Sequence, residues 1–187
     1  MGEFVESVLS WSGAGEEWQP LPRLAIAAWV TFYVAYLLYG GTNGRFLLIG
    51  PVNLVTHEAG HLLFRWFGQT LCLWGGTILQ LAVPFLLALY FFHQRSAVAF
   101  TFCMFFFFEN WTEVATYMAD ARAMVLPLVT VGDSDFVEHD WHAIFSSLGL
   151  LQYDTAIAAV VRMIGWGGML ACVGWLASRW KDERSEE

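Results

Sequence analysis

The sequence predicts an all-α fold, a polytopic bundle of transmembrane helices with about five to six membrane segments. Three observations predict it. The 187 residues are 57% hydrophobic and only 14% charged, with a mean hydropathy of +0.51, whereas soluble domains run nearer 45–50% apolar and about 25% charged. Residues 24–44 and 66–92 contain no charged side chain, and about 20 such residues are what a helix needs to cross a hydrocarbon core. A soluble domain of this size leaves about a third of its chain in contact with solvent, too much for so apolar a composition. Lipid is the simpler solvent, and a lipid bilayer is the first partner expected.

The elements follow in order. Residues 1–22 read as a polar N-terminal tail, with Trp11 and Trp18 suited to a membrane interface. The tail lacks the basic start and short apolar stretch of a cleaved signal peptide, so the first span is expected to act as its own insertion signal. Residues 23–180 form a single transmembrane helical domain. Its first helix, 24–40, follows Pro20 and Pro22 and ends in the turn Gly40, Gly41, Thr42, Asn43, Gly44. Pro51 opens a second helix, 51–67, which Gly68 closes. A third helix spans 77–92, and His93 to Ser96 form a turn. The fourth, 97–125, stops ahead of Pro127. A polar segment, 132–140, leads into a helix at 141–151 that is short for a full crossing. The last span covers 156–178, and its Gly165, Gly167 and Gly168 suit close helix packing. Residues 181–187 are a charged tail. Arg179, Lys181 and Arg184 beyond the last span favour a cytoplasmic C-terminus for this multi-pass integral membrane protein.

Charge and cysteines exclude other classes. The net charge is −8, its acidic residues gather toward the two ends, and no basic stripe exists for a nucleic-acid partner. Cys72, Cys103 and Cys172 are widely spaced with no CxxC pair, and read as small buried apolar residues.

The chemistry lies in His57-Glu58-Ala59-Gly60-His61. Residues four apart stack on one helix face, so the two imidazoles are placed to hold one tetrahedral Zn2+. Glu58 follows the first histidine and can serve as general base toward a water beside the metal. With five histidines in the chain, chance gives HExxH on the order of one time in a hundred. Ionisable groups inside an apolar helix each cost about 2.5–3.5 kcal/mol on insertion scales and mark function. The bland alternative is a polar knot between helices.

His57 to Gly68 (HEAGHLLFRWFG) resembles the HExGH helix of the site-2 protease family of intramembrane zinc metalloproteases. The resemblance covers about 51–68. It implies that His57 and His61 ligate zinc and that Glu58 is the catalytic acid/base. It also implies a third ligand from an Asp on a later segment, for which Asp140 is the best match, although Trp141 stands where the family has glycine. His139 or His142 are alternatives, and Asp140 can also be read as a helix N-cap. The family's Gly-Pro-x-x-Asn stretch is matched loosely by Gly75, Gly76 and Gln80. Gln80 can accordingly donate to a developing oxyanion or make an ordinary interhelical bond.

Glu109, Asn110, Glu113, Tyr117 and Asp120 form a second polar set, a stripe that should face the protein interior. Glu109 or Glu113 can be a third ligand, an acceptor orienting the histidines, or structural, with Asp120 pairing to Arg122. The leading reading is a zinc-dependent endopeptidase acting on a membrane protein or peptide, in or near transmembrane segments. The alternatives are a non-catalytic metal-binding or scaffold membrane protein that keeps the protease fold, and, on the acidic stripe, a transport or proton-relay role.

Overall fold

The computed structural model describes residues 17–44, 48, 50–127 and 139–180. Most of the expected polar tail, with Trp11, most of the 132–140 segment and the tail with Lys181 and Arg184 lie outside the described residues. Every regular element described is helical: α1 (Arg23–Asn43), α2 (Gly50–Phe64), α3 (Gln69–His93), α4 (Ala97–Ala119), α5 (Asp140–Ser147) and α6 (Asp154–Ser178), with 3-10 turns at Arg65–Phe67 and Leu151–Tyr153.

Several boundaries differ from the sequence reading: α1 continues through the turn expected from Gly40 and ends at Asn43, α5 stops at Ser147 rather than 151, and two larger shifts follow. Gly68 has φ +100° and closes the turn after α2, but α3 begins directly after it rather than at 77. Gly75 and Gly76 therefore sit inside a helix, where they allow its backbone to touch α2. α4 stops at Ala119 rather than 125 because the Asp120 carboxylate accepts from the backbone N–H of Val125 and of Leu126, each at 3.0 Å. An aspartate that captures nearby amides in this way competes with helix continuation. Asp120 does not pair with Arg122; that guanidinium binds Asp154, with contacts of 2.8 and 2.9 Å.

α4 and α6 form the central pair, α1 packs on α6, α3 on α4, α2 on α3, and the short α5 rests against α3 and α4. Gly165 and Gly168 make the central contact possible. A Cβ on Gly168 would overlap the Phe108 ring, and one on Gly165 would lie 2.8 Å from the Phe108 carbonyl oxygen. One apolar cluster, with Tyr33, Phe105, Phe106, Met169 and Leu176, joins α1, α4 and α6. A second, with Val114, Met118, Trp141, Ile144, Phe145 and Ala158, ties α5 to α4 and α6.

Three helical stretches are long and apolar enough to cross a membrane: Arg23–Asn43, Gln69–His93 and Leu151–Ser178. α2, with 15 residues, and α5, with 8, reach only about 22 and about 12 Å at 1.5 Å per residue, short of a hydrocarbon core of about 30 Å. α4 is 23 residues long but carries Glu109, Asn110 and Glu113. Large apolar side chains crowd the outer surface, and several polar ones are buried alongside the apolar clusters. Leu24, Leu38, Leu86, Met163 and Leu170 are exposed, while Asn53, Gln80, Glu109, Asn110, Asp120 and Asp154 are buried. Apolar outside and polar inside is the arrangement that a hydrocarbon solvent favours.

Trp18 marks one end of the bundle. Its ring packs on Phe92, Phe100 and Trp175, with the guanidinium groups of Arg95 and Arg179 over it at 5.7 and 5.3 Å.

Substituting Gly168→Ala drives a methyl into Phe108 and should cost about 1–3 kcal/mol by overpacking. Gly167→Ala, which meets nothing within 4 Å, should stay within about 0.5 kcal/mol of wild type. Thermal unfolding of the detergent-solubilised chain reads both.

Candidate metal centre

The site is built where α2, α3 and the start of α5 meet. The inward face of α2 is Asn53, His57 and Gly60, and His61 lies one turn beyond His57. The backbones of α2 and α3 touch at Gly60 and Gly75, with no room for a Cβ on either. Gly76 then lies directly beneath the histidines: a Cβ there would be 2.6 Å from His61 Nε2 and 2.5 Å from His57 Nε2. Only glycine leaves that space free.

α5 delivers the third group. Trp141, Ile144 and Phe145 are buried, and Trp141 meets Trp74 of α3 edge-on at 5.4 Å. Trp141 is thus the anchor that seats α5. His139 rather than Asp140 is the N-cap: its Nδ1 accepts from the His142 backbone N–H at 3.2 Å. The Asp140 side chain is left to turn toward α2. Asp140 Oδ2 lies 3.0 Å from His57 Nε2 and 3.1 Å from His61 Nε2. Tyr117 steadies it, its hydroxyl oxygen accepting from the Asp140 backbone N–H at 3.2 Å.

The opposite nitrogens of both rings face acceptors. His57 Nδ1 meets Gln80 Oε1 at 3.0 Å, and His61 Nδ1 meets the Cys72 carbonyl at 2.8 Å. The Gln80 amide is oriented from behind, because its nitrogen donates to Asn110 Oδ1 at 2.9 Å and faces Glu113 Oε2 at 3.4 Å. Each ring meets this set of acceptors either as an imidazolium or as the Nδ1–H tautomer with an Nε2 lone pair for a cation. Metal-bound histidines are commonly held in the second state by such partners.

Burial alone would push the Asp140 carboxyl up; hydrogen bonds with His57 and His61 outweigh it and hold it below the usual carboxylate range. It is therefore an anion at neutral pH, as a ligand must be. His57 and Asp140 are buried and His61 is half-buried. Among the described residues, these three form the group whose ligand atoms converge, all within 4.8 Å of one another. The nitrogen–oxygen separations approach the edge of about 3.3 Å that a tetrahedron with bonds of about 2.0–2.1 Å requires.

The remaining predicted site residues fall elsewhere. Glu58 is half-buried beside the cluster, close enough to His61 and Tyr117 to act on both electrostatically. Gln80 turns its carbonyl, not its amide nitrogen, toward the histidines. Glu113 accepts from Asn53 Nδ2 at 2.6 Å, and neither it nor Glu109 joins the cluster. His139 packs on the Tyr117 ring at 4.2 Å and approaches Asp120, and burial pushes its imidazole below the ordinary histidine range. His142 Nδ1 binds the Ala121 carbonyl at 2.8 Å. Both are thus engaged away from the site.

No family model, curated protein or solved structure matches the chain. The geometry therefore carries the functional argument.

Sequence reasoning missed two contributors. Asn53 could have been found, since it sits one turn before His57 on the same face. The Cys72 carbonyl gives no such signal, being a backbone atom, and Gly76 enters only through the family stretch, without its place beneath the imidazoles.

Gly76→Ala should lower zinc affinity by at least about tenfold, since the added methyl occupies the space between the imidazoles. Gln80→Leu, which removes the acceptor for His57, should cost about 10–100-fold. Competitive titration with a chromogenic chelator measures both.

Proposed function

We propose that this chain is a multi-pass, membrane-embedded zinc endopeptidase that hydrolyses peptide bonds in or near transmembrane segments of a membrane protein or peptide. The observation that carries the reading is the convergence of His57 Nε2, His61 Nε2 and Asp140 Oδ2, with Glu58 on the same helical turn. Two imidazoles and a carboxylate suit zinc, and three protein ligands are the mark of a catalytic rather than a structural zinc site. The resemblance of HEAGHLLFRWFG to the site-2 protease helix points the same way.

Zinc held by these ligands would supply a Lewis acid for the scissile carbonyl and lower the pKa of a water to about 7. Glu58 takes a proton from the attacking water and passes it to the leaving amine nitrogen. Gln80 and the Cys72 carbonyl keep both rings in the ligating tautomer. The apolar outer faces of the helices surround the site with a water-poor medium, in which a peptide bond of a membrane segment is the substrate at hand. Among the described residues α2 packs chiefly on α3, and its other face is the side proposed for substrate approach.

The reading includes five to six membrane segments, with α2 and α5 penetrating rather than crossing. A cytoplasmic C-terminus is supported by Arg95 and Arg179 gathered at the Trp18 end, since a basic excess favours the cytoplasmic side.

Purified full-length chain should carry one zinc, and His61→Ala should lose it. Glu58→Gln should keep the zinc yet cleave a model transmembrane substrate at least about 100-fold more slowly. Wild-type protein without stoichiometric zinc, or undiminished cleavage by Glu58→Gln, would overturn the reading. Zinc binding with no cleavage would favour the non-catalytic scaffold instead.

A further inference from the structure

A second set of buried oxygens lies behind Gln80, away from the histidines. Glu109 is 0% exposed, and neither of its carboxylate oxygens has a hydrogen-bond partner. Glu113 follows four residues later on the same face of α4, where neighbouring side chains of like charge oppose each other. Asn53 of α2 stands beside both, donating its Nδ2 to Glu113 Oε2 at 2.6 Å, while Glu109 gains no bond of good geometry from it. Neither carboxylate takes part in an ion pair among the described residues.

The donor inventory is lopsided. Asn53 and Gln80 both present their amide nitrogens to Glu113 Oε2. Glu109 Oε1 and Oε2 are both buried and receive no hydrogen bond among the described residues. One shared proton engages only two oxygens. A hard cation engages several at once, and two carboxylates balance a double positive charge in a medium where unpaired charge is costly. With no nitrogen or sulfur donor, the set disfavours zinc and suits magnesium or calcium.

We propose that Glu109, Glu113 and Asn53 form a second metal site, for a hard divalent cation bound through oxygen, distinct from the histidine cluster. It does not depend on the protease reading, since its ligands share no residue with His57, His61 and Asp140.

Mn2+ is the probe, followed by electron paramagnetic resonance on zinc-loaded, full-length protein in detergent. Wild type should bind one Mn2+ that Mg2+ or Ca2+ displaces. Glu109→Gln, which preserves shape and removes charge, should weaken Mn2+ binding by at least about tenfold, and retained zinc in that variant reports an intact fold. His61→Ala should lose zinc and keep Mn2+, so the two sites fail separately. Wild type binding no Mn2+ beyond its zinc would overturn the proposal and leave a shared proton as the account of the pair. So would Mn2+ affinity unchanged in a zinc-retaining Glu109→Gln.

Discussion

The contact between the backbones of α2 and α3 at Gly60 and Gly75 is the constraint from which the site follows. Where two helices approach this closely, side chains flanking the contact are pressed together across it. His57 and His61 flank Gly60 and are brought over Gly76, whose missing side chain is the floor between them. A Cβ at any of the three glycines would separate the helices or fill the space that the imidazole nitrogens converge on. The helix that carries HEAGH is too short to be held by lipid contact alone, so this packing fixes its depth and rotation as well.

Two further layers convert proximity into geometry. The first is polar: Asn110 and Glu113 orient Gln80, Gln80 orients His57, and a backbone carbonyl orients His61. Each link is a hydrogen bond in a buried setting, where an amide turned the wrong way leaves polar atoms unpaired. The second is apolar: Trp141, Ile144 and Phe145 seat α5, and the seating aims Asp140. A carboxylate contributed by an eight-residue helix has little intrinsic helical stability behind it, so its position depends on that aromatic anchor.

The distribution of side chains gives these layers their weight. With leucines outside, buried amides and carboxylates form a connected polar region inside the bundle. The polar groups satisfy one another in a connected path running from Glu113 through Gln80 and His57 to Asp140. Glu109 stands at the edge of that path without a partner, which sets it apart from its neighbours.

The sequence by itself determined much. Composition and long charge-free runs point to apolar helices of membrane length. A backbone in hydrocarbon must bond internally, and uninterrupted apolar runs of this length suit a helix rather than the short alternating strands of a barrel. The spacing of His57 and His61 puts both imidazoles on one face through helix geometry alone, and the four-residue recurrence of Glu109 and Glu113 turns both inward. Tertiary structure decided what spacing does not encode. Asp140 meets the histidines across a long sequence separation, and its neighbours His139 and His142 are drawn off to local backbone partners. The reach of α3 back to Gln69 was hidden because paired glycines read as a turn until a second backbone is there to touch them. Local periodicity records which face a residue occupies; only packing records what that face meets.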